Sequence, residues 1–214
     1  MPTENAAIDR SGEAGVPEKQ LPPGQHLSTG WPILHYGPVP RFKPATWQFR
    51  VFGATASGRD YRWTLEEVRQ LTPAVVTGDM HCVTKFSVPD NAWEGVSAAA
   101  VLRHAPPAAD VTHVMVWAEY GYSANIRLSD FAAETTLLAT QHGGEPLSSE
   151  HGFPLRLVVP HLYAWKSVKW LRGIEYLTQD RRGFWEERGY HNVADPWAEQ
   201  RYAYQEEPGE HPPL

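Results

Sequence analysis

Cysteine is almost absent from this sequence of 214 residues, which contains only Cys82. A single cysteine excludes an internal disulfide, and it excludes a zinc site that needs several thiolates. The residue is then either a small buried apolar side chain or a reactive or metal-ligating thiolate. Its surroundings have to decide between these two interpretations.

Long apolar runs and basic clusters are also missing. No stretch approaches the roughly 18 apolar residues that a membrane-spanning helix needs. The 19 basic and 25 acidic residues give a net charge of -6 and form no long basic run, whereas nucleic-acid-binding proteins carry basic patches. We therefore expect no nucleic-acid partner and no membrane span.

The N-terminal region is polar and rich in proline, glycine and glutamate, and it shows no apolar core of a secretory signal. Arg10 stands alone, so no twin-arginine signal is visible. We expect residues 1–30 to be flexible, residues 31–205 to form one domain and residues 206–214 to form a tail. The expected location is the cytoplasm.

Short strands dominate the predicted secondary structure. Branched and apolar residues that end at glycine or proline predict strands at 47–53, 74–77, 111–119, 137–140, 155–160 and 168–178. Thr64 and Glu67 form a capping box that starts a helix ending near Leu71. Further helical segments are predicted at 95–102 and 128–131. Without regular strand–helix alternation or internal repeats, the predicted class is α+β with a mostly β core.

Common catalytic motifs do not occur in the chain. A phosphate loop, a dinucleotide-binding fingerprint, a serine-hydrolase elbow and a His-Glu-x-x-His helix are all absent. The most frequent nucleotide-binding and hydrolase functions are therefore excluded. The abundant aromatic residues, nine Trp and nine Tyr, suit a core but also suit the wall of a polar ligand pocket.

The cysteine lies in the segment Gly78-Asp79-Met80-His81-Cys82-Val83-Thr84, directly after a predicted strand. Loops on rigid scaffolds often carry functional groups, and thiolate is a soft ligand that favours transition metals. The same pattern fits a half-buried cysteine beside a solvated histidine. This segment alone leaves both possibilities open.

Two other segments carry positive charge among apolar residues. Arg156 lies in an otherwise apolar strand and needs a partner, because burying an unpaired charge is costly. The partner is either an acidic neighbour or a phosphate or carboxylate ligand. In Tyr163-Ala164-Trp165-Lys166-Ser167-Val168-Lys169-Trp170 two lysines alternate with tryptophans. That pattern fits an anion cradle or a basic surface turn.

Several segments together carry a family resemblance. They are His35-Tyr36-Gly37-Pro38-Val39-Pro40, His81-Cys82-Val83, Trp93-Glu94-Gly95-Val96, Gly121-Tyr122-Ser123, His151 to Pro160, Trp165 to Trp170, and Gly183-Phe184-Trp185-Glu186 with Gly189-Tyr190-His191. In this order, over roughly Trp31 to Tyr204, they resemble the oxidoreductase molybdopterin-binding domain. This is the family of sulfite oxidase, plant-type nitrate reductase and the bacterial methionine sulfoxide reductase catalytic subunit. The match is closest to small bacterial sulfite oxidase-like proteins.

The resemblance implies an α+β domain with a mixed sheet that binds molybdenum-molybdopterin (Mo-MPT). In this family the pterin supplies two sulfurs and one cysteine supplies the third, so Cys82 matches the catalytic metal ligand. The positions that match cofactor-binding residues, including those around the terminal phosphate, are His35, Tyr36, His151, Arg156, Ser167, Val168 and Lys169.

The family also implies a reaction, the two-electron transfer of one oxygen atom to or from a small substrate. The arginines that sulfite oxidases carry near the metal cysteine and the Pro-Val-Pro segment are missing, since these regions read Thr84-Lys85-Phe86-Ser87 and Ile33-Leu34. The expected substrate is an S-oxide, an N-oxide or a sulfite-like compound. The substrate-pocket candidates are His81, Lys85, Trp185 and Tyr190.

The expected oxidoreductase needs a separate electron donor or acceptor protein or a small mediator, because no haem domain is visible in the sequence. Two alternatives are kept. One is a protein that binds the cofactor for storage or sensing without catalysis. The other is a β-rich interaction domain without a cofactor.

Overall fold

The computed structural model describes residues 20–214. Of the segment 1–30 that is predicted to be flexible, positions 1–19 therefore lie outside the described residues. Within its described part, His26–Leu27 form strand β1, which pairs in parallel with Phe86 and Ser87 of a longer strand. The domain boundary near residue 30 stays a prediction.

Residues 20–214 form eleven strands and three short helices. The strands are β1 His26–Leu27, β2 Phe49–Gly53, β3 Tyr61–Trp63, β4 Pro73–His81, β5 Phe86–Ser97, β6 His113–Ala118, β7 Ser123–Arg127, β8 Leu137–His142, β9 Glu145–Pro146, β10 Arg156–Val158 and β11 Leu171–Leu177. The helices are α1 Leu65–Arg69, α2 Ala98–His104 and α3 Leu128–Phe131. Single 3-10 turns occur in the connections.

The strands form two mixed sheets. The first has the order β1-β5-β8-β10, with β4 also paired to β5 and β9 to β8, and the second has the order β3-β2-β11-β6-β7. The largest apolar cluster contains Leu138 and Leu157 of the first sheet together with Phe49, Val116 and Ile174 of the second. Burial of these alternating apolar residues between the sheets is the main stabilising contribution to the fold.

The predicted α+β class with a mostly β core is confirmed, and so is the capping box of α1. The Thr64 hydroxyl accepts from the Glu67 amide, and the Glu67 carboxylate accepts from the Thr64 amide. The helix predicted from residue 95 instead begins at Ala98, because β5 continues to Ser97, which caps α2. Gly95 lies at a bulge, where a Cβ would come within 2.1 Å of the Leu138 carbonyl oxygen. The glycine at this position allows β5 and β8 to approach each other closely, and it does not mark the start of a helix.

Five loop regions meet at one end of the two sheets. They are the segment 31–36 before β2, the β4–β5 loop at 82–85, the β6–β7 turn at 119–122, the β10–β11 connection at 159–170 and the segment 181–190 after β11. Loops placed on a rigid scaffold are the usual location of a ligand site. Among the helices of residues 20–214, none has the length and apolar character needed to cross a membrane.

Candidate functional site

The five loop regions enclose a cavity of about 270 Å³. Its lining residues come from segments far apart in the sequence, and Cys82, Arg156, Lys169 and Trp185 are among them. The cavity therefore brings together the cysteine loop, the arginine strand and the lysine loop, as the family resemblance implies. A concave, largely apolar site with a few polar groups is typical of small-molecule binding.

Cys82 begins the tight loop between β4 and β5. Its amide donates to the Phe86 carbonyl at 2.9 Å, and the Lys85 amide donates to the Cys82 carbonyl at 3.0 Å. Gln25 reaches the same carbonyl through its side-chain amide at 3.0 Å. The cysteine is half-buried, and its Sγ accepts a hydrogen bond from Thr84 Oγ1 at 3.1 Å. The thiol therefore lies on a fixed loop at the cavity surface.

Arg201 holds this loop from the other side. Its Nη1 donates to the Val83 carbonyl at 2.8 Å, and its Nη2 donates to the Pro23 carbonyl at 3.0 Å. The guanidinium also lies 5.0 Å from the centre of the Tyr163 ring, within the range of a cation–π interaction. One residue of the C-terminal region thus ties the cysteine loop to the segment preceding β1.

Arg156 is 2% exposed and lies beside two tryptophans. It donates to the His151 and Ser167 carbonyls at 3.0 Å each. Of the carboxylates in residues 20–214, none lies within ion-pair distance of it, so the structural ion pair considered above is not found there. Burial lowers the pKa of Arg156 to about 9, which leaves it charged at neutral pH.

Lys169 places a second cation in the same wall. Its Nζ donates to the Glu150 carbonyl at 2.8 Å, and burial together with the charge of Arg156 lowers its pKa to about 8. The turn at Gly152, where φ is +113°, packs against both residues. A Cβ there would lie 3.1 Å from Arg156 Cβ and 3.2 Å from Lys169 Cβ. The Glu150 charge raises the pKa of Lys169 but does not cancel the lowering by burial and Arg156. Two neighbouring cations with no carboxylate of the described chain within ion-pair distance favour a bound anion.

Lys166 does not belong to this cationic wall. Its side chain is fully buried and forms an ion pair with Glu186 at 2.6 Å. Its Nζ also donates to the backbone carbonyls of Asn125 and Asn192, both at 2.7 Å. The idea that both lysines of this loop serve a single anion is therefore wrong for Lys166, because a carboxylate twenty residues later in the chain neutralises it.

The other predicted cofactor-binding residues lie in or beside the cavity. His35, Tyr36, Ser167 and Val168 line it, and Ser167 Oγ accepts from the Val159 amide at 2.9 Å. His151 lies behind the lining, stacked on Trp31 with 3.7 Å between ring centres. Burial, with smaller effects from Lys169 and Arg156, lowers the pKa of His151.

The four substrate-pocket candidates divide into two pairs. Trp185 and Tyr190 line the cavity and stack on each other at 5.0 Å. His81 is 3% exposed, bonds Ser87 Oγ through Nδ1 at 2.8 Å and does not line the cavity. Lys85 is exposed at a φ of +79°, outside the lining. The structure therefore places neither of these two residues at the cavity.

The aromatic wall of the cavity consists of Trp185 and Tyr190 together with three rings that were not predicted from the sequence. Trp31, Tyr122 and Trp165 also line the cavity, and Tyr122 Oη donates to the Trp165 carbonyl at 2.8 Å. The high tryptophan and tyrosine content was the available signal. It does not say which of these residues the fold brings together, because they lie on different loops.

No three His, Cys, Asp or Glu residues of the described chain lie close enough together to bind a metal ion. A metal at Cys82 would therefore need most of its ligands from a bound group. The pterin dithiolene expected from the sequence is a group of this kind.

Comparison with known proteins adds independent information. The model of the family described as "Oxidoreductase molybdopterin binding domain" matches residues 36–185. The chain is 44% identical over 186 residues to "Uncharacterized oxidoreductase YuiH" of Bacillus subtilis (strain 168), covering 86% of this chain and 93% of that protein.

Two more distant matches cover most of this chain and about half of the other protein. The catalytic subunit MsrP of the protein-methionine-sulfoxide reductase of Gluconobacter oxydans is 27% identical over 181 residues, covering 72% of this chain and 56% of MsrP. The crystal structure of the sulfane dehydrogenase SoxCD from Paracoccus pantotrophus superposes with a TM-score of 0.63 at 16% identity, covering 76% of this chain and 47% of that chain. The chain thus spans about half the length of these two proteins, and the second likeness shows the fold. With the family model matched over most of its domain and a close relative along nearly its whole length, the chain belongs to the oxidoreductase molybdopterin-binding domain family.

Proposed function

We propose that the chain binds Mo-MPT with Cys82 as the protein ligand to the metal and catalyses oxygen-atom transfer. The observation that carries this proposal is the cavity itself, which has a thiol at one place and, at another, two cations with no carboxylate of residues 20–214 within ion-pair distance. A soft sulfur ligand suits molybdenum, and Arg156 with Lys169 suits a phosphate. The residues present therefore fit the cofactor.

Each part of the wall has its own task in this proposal. Arg156, Lys169 and the Ser167–Val168 backbone would hold the phosphate, while His35, Tyr36 and His151 would bind or support the pterin. When bound, the cofactor supplies the two-electron redox chemistry and the oxygen-atom transfer. Cys82 would hold the metal at the cavity surface, where the surrounding rings would exclude water from it.

The aromatic wall indicates the kind of substrate. Trp185, Tyr190 and Tyr122 present rings to the cavity, and Arg156 and Lys169 are the only cations of the described chain that line it. Both of these are assigned to the phosphate, so nothing remains to neutralise sulfite. An uncharged S-oxide or N-oxide suits the pocket better, and MsrP, whose name states a sulfoxide substrate, is a relative.

Electrons would reach or leave the site through a separate donor or acceptor protein or a small mediator. The cytoplasmic location expected from the sequence stays a prediction. A storage or sensing protein remains the alternative, because cofactor binding by itself does not establish turnover. The oxotransferase turns over substrate, whereas a storage or sensing protein binds the cofactor without turnover.

We expect the metal-loaded protein to reduce an aryl methyl sulfoxide to the sulfide and water, with two electrons from reduced methyl viologen and two protons from solvent. The kcat/KM should exceed that for sulfite oxidation by ferricyanide at least about tenfold, a difference of about 1.4 kcal/mol in barrier. Lys85→Gln, outside the cavity, serves as the control and should leave the ratio unchanged. Stoichiometric metal without turnover of sulfoxide, N-oxide or sulfite would favour the storage function.

A further inference from the structure

Thr84 is a neighbour of the Cys82 sulfur that the proposed cofactor contacts do not use. It lies two residues after Cys82 in the same loop and lines the cavity. Its Oγ1 lies 3.1 Å from Cys82 Sγ and donates a hydrogen bond to it. A hydroxyl can also rotate to other acceptors, so the importance of this contact depends on how rigidly the loop is held.

Hydrogen bonds within the loop and from Arg201 hold the loop backbone. Two backbone hydrogen bonds close it, from the Cys82 amide to the Phe86 carbonyl at 2.9 Å and from the Lys85 amide to the Cys82 carbonyl at 3.0 Å. Arg201 fixes the carbonyl of the intervening Val83 at 2.8 Å. The backbone held in this way places the exposed Thr84 side chain next to the sulfur, and the hydrogen bond to Cys82 Sγ is the contact of its hydroxyl.

A hydrogen bond to a metal-bound thiolate withdraws electron density from the sulfur. Hydrogen bonds around cysteine ligands are known to tune the potentials of copper and iron–sulfur centres. Less electron donation from sulfur stabilises the reduced metal, which raises its reduction potential. It also makes removal of an electron from sulfur harder, which moves the thiolate-to-metal absorption band to higher energy.

We propose that Thr84 is a positioning residue whose hydroxyl orients the Cys82 thiolate and raises the reduction potential of the metal bound there. This inference rests on the proposed function, since it needs Cys82 to be a metal ligand. It concerns the electronic properties of the site and not whether the cofactor binds. Thr84 therefore decides how readily the centre takes up electrons from its partner.

The test uses two variants of the metal-loaded protein. Thr84→Val keeps the shape of the side chain without the hydroxyl, and Thr84→Ser keeps the hydroxyl. Redox titration should show a lower metal potential in Thr84→Val, with its thiolate-to-metal band at longer wavelength, at molybdenum content equal to the parent. Thr84→Ser should restore both values, which a merely structural role for the side chain would not produce.

An unchanged potential and absorption band in Thr84→Val, with molybdenum retained, would overturn the inference and leave the proposed function intact. Absence of molybdenum from the parent would overturn both. Should Thr84→Val fail to fold, Thr84→Ala removes the same donor with a smaller side chain. The same shift to a lower potential is expected from it.

Discussion

Replacing Arg156 with methionine is expected to abolish anion binding in the cavity. Arg156 is buried beside Lys169 without a carboxylate partner in the described chain, so a bound dianion satisfies both charges. Sulfate is a suitable probe because its charge is constant above pH 6. At about 100 times its Kd, sulfate should stabilise the cofactor-free parent by about 2.7 kcal/mol, and Arg156→Met should lose this gain.

Thermal unfolding with and without sulfate measures this effect. Without sulfate, Arg156→Met should remain within about 2 kcal/mol of the parent, because losing the carbonyl partners of Leu157, His151 and Ser167 is offset by removing a buried charge that has no carboxylate within ion-pair distance. Arg62, an exposed residue of strand β3, provides the matched control. Arg62→Met should keep the full stabilisation by sulfate, and equal stabilisation of Arg156→Met would contradict the assignment.

The pH dependence of sulfate binding follows from Lys169. Its pKa of about 8 lies below the ordinary value because of burial and the charge of Arg156. The side chain is therefore charged at pH 6.5 and mostly neutral at pH 8.5, so stabilisation by sulfate should decrease over this interval. In Lys169→Met the stabilisation should be smaller at pH 6.5 and nearly constant up to pH 8.5.

Replacing Glu186 with glutamine is expected to cost about 3–5 kcal/mol of unfolding free energy, since it leaves the fully buried Lys166 charge without its carboxylate. Burial already lowers the pKa of Lys166, and Glu186 opposes that shift. Trp165 Nε1 also donates to Glu186 Oε1 at 2.9 Å. Because Trp165 lines the cavity, the pair supports the aromatic wall from behind.

Urea unfolding monitored by circular dichroism measures this cost as a lower midpoint at an unchanged slope. The adjacent Glu187 is an exposed residue that lies 3.7 Å from Arg188, and Glu187→Gln should cost less than about 0.5 kcal/mol. The double replacement Lys166→Met with Glu186→Leu should recover part of the loss, because apolar residues often replace a buried ion pair well. Equal midpoints for Glu186→Gln and Glu187→Gln would contradict the role of the pair.

The cysteine loop shows what a local pattern can predict. A predicted strand followed by Gly78 and a lone cysteine left a metal-ligating loop and a half-buried cysteine both open, and the structure places Cys82 at the cavity. The same pattern could not tell that His81 and Lys85 lie outside the lining. His81 is fixed by its pairing with Ser87 where β4 meets β5, and Lys85 lies in the tight turn that connects these two strands. Both placements depend on strand pairing, which a local pattern does not contain.

Strand β5 shows what the pattern conceals. It runs for twelve residues but contains Asp90, Asn91 and Gly95, which are poor strand formers. Pairing with three other strands, β1, β4 and β8, maintains it nevertheless. Lys166 is a similar case, because its partner Glu186 lies on a distant segment. Long-range pairing of this kind leaves no periodic signal in a single sequence.

The central claim is that Cys82 binds molybdenum, and elemental analysis of the purified protein tests it most directly. The protein should come from a host that makes the cofactor, and Cys82→Ser should be measured beside it, because hydroxyl is a much poorer ligand than thiolate for a soft metal site. We predict near-stoichiometric molybdenum and a thiolate-to-metal absorption band in the parent, with the band absent from the variant. A parent without molybdenum or pterin, or a variant that keeps the same band, would contradict the claim.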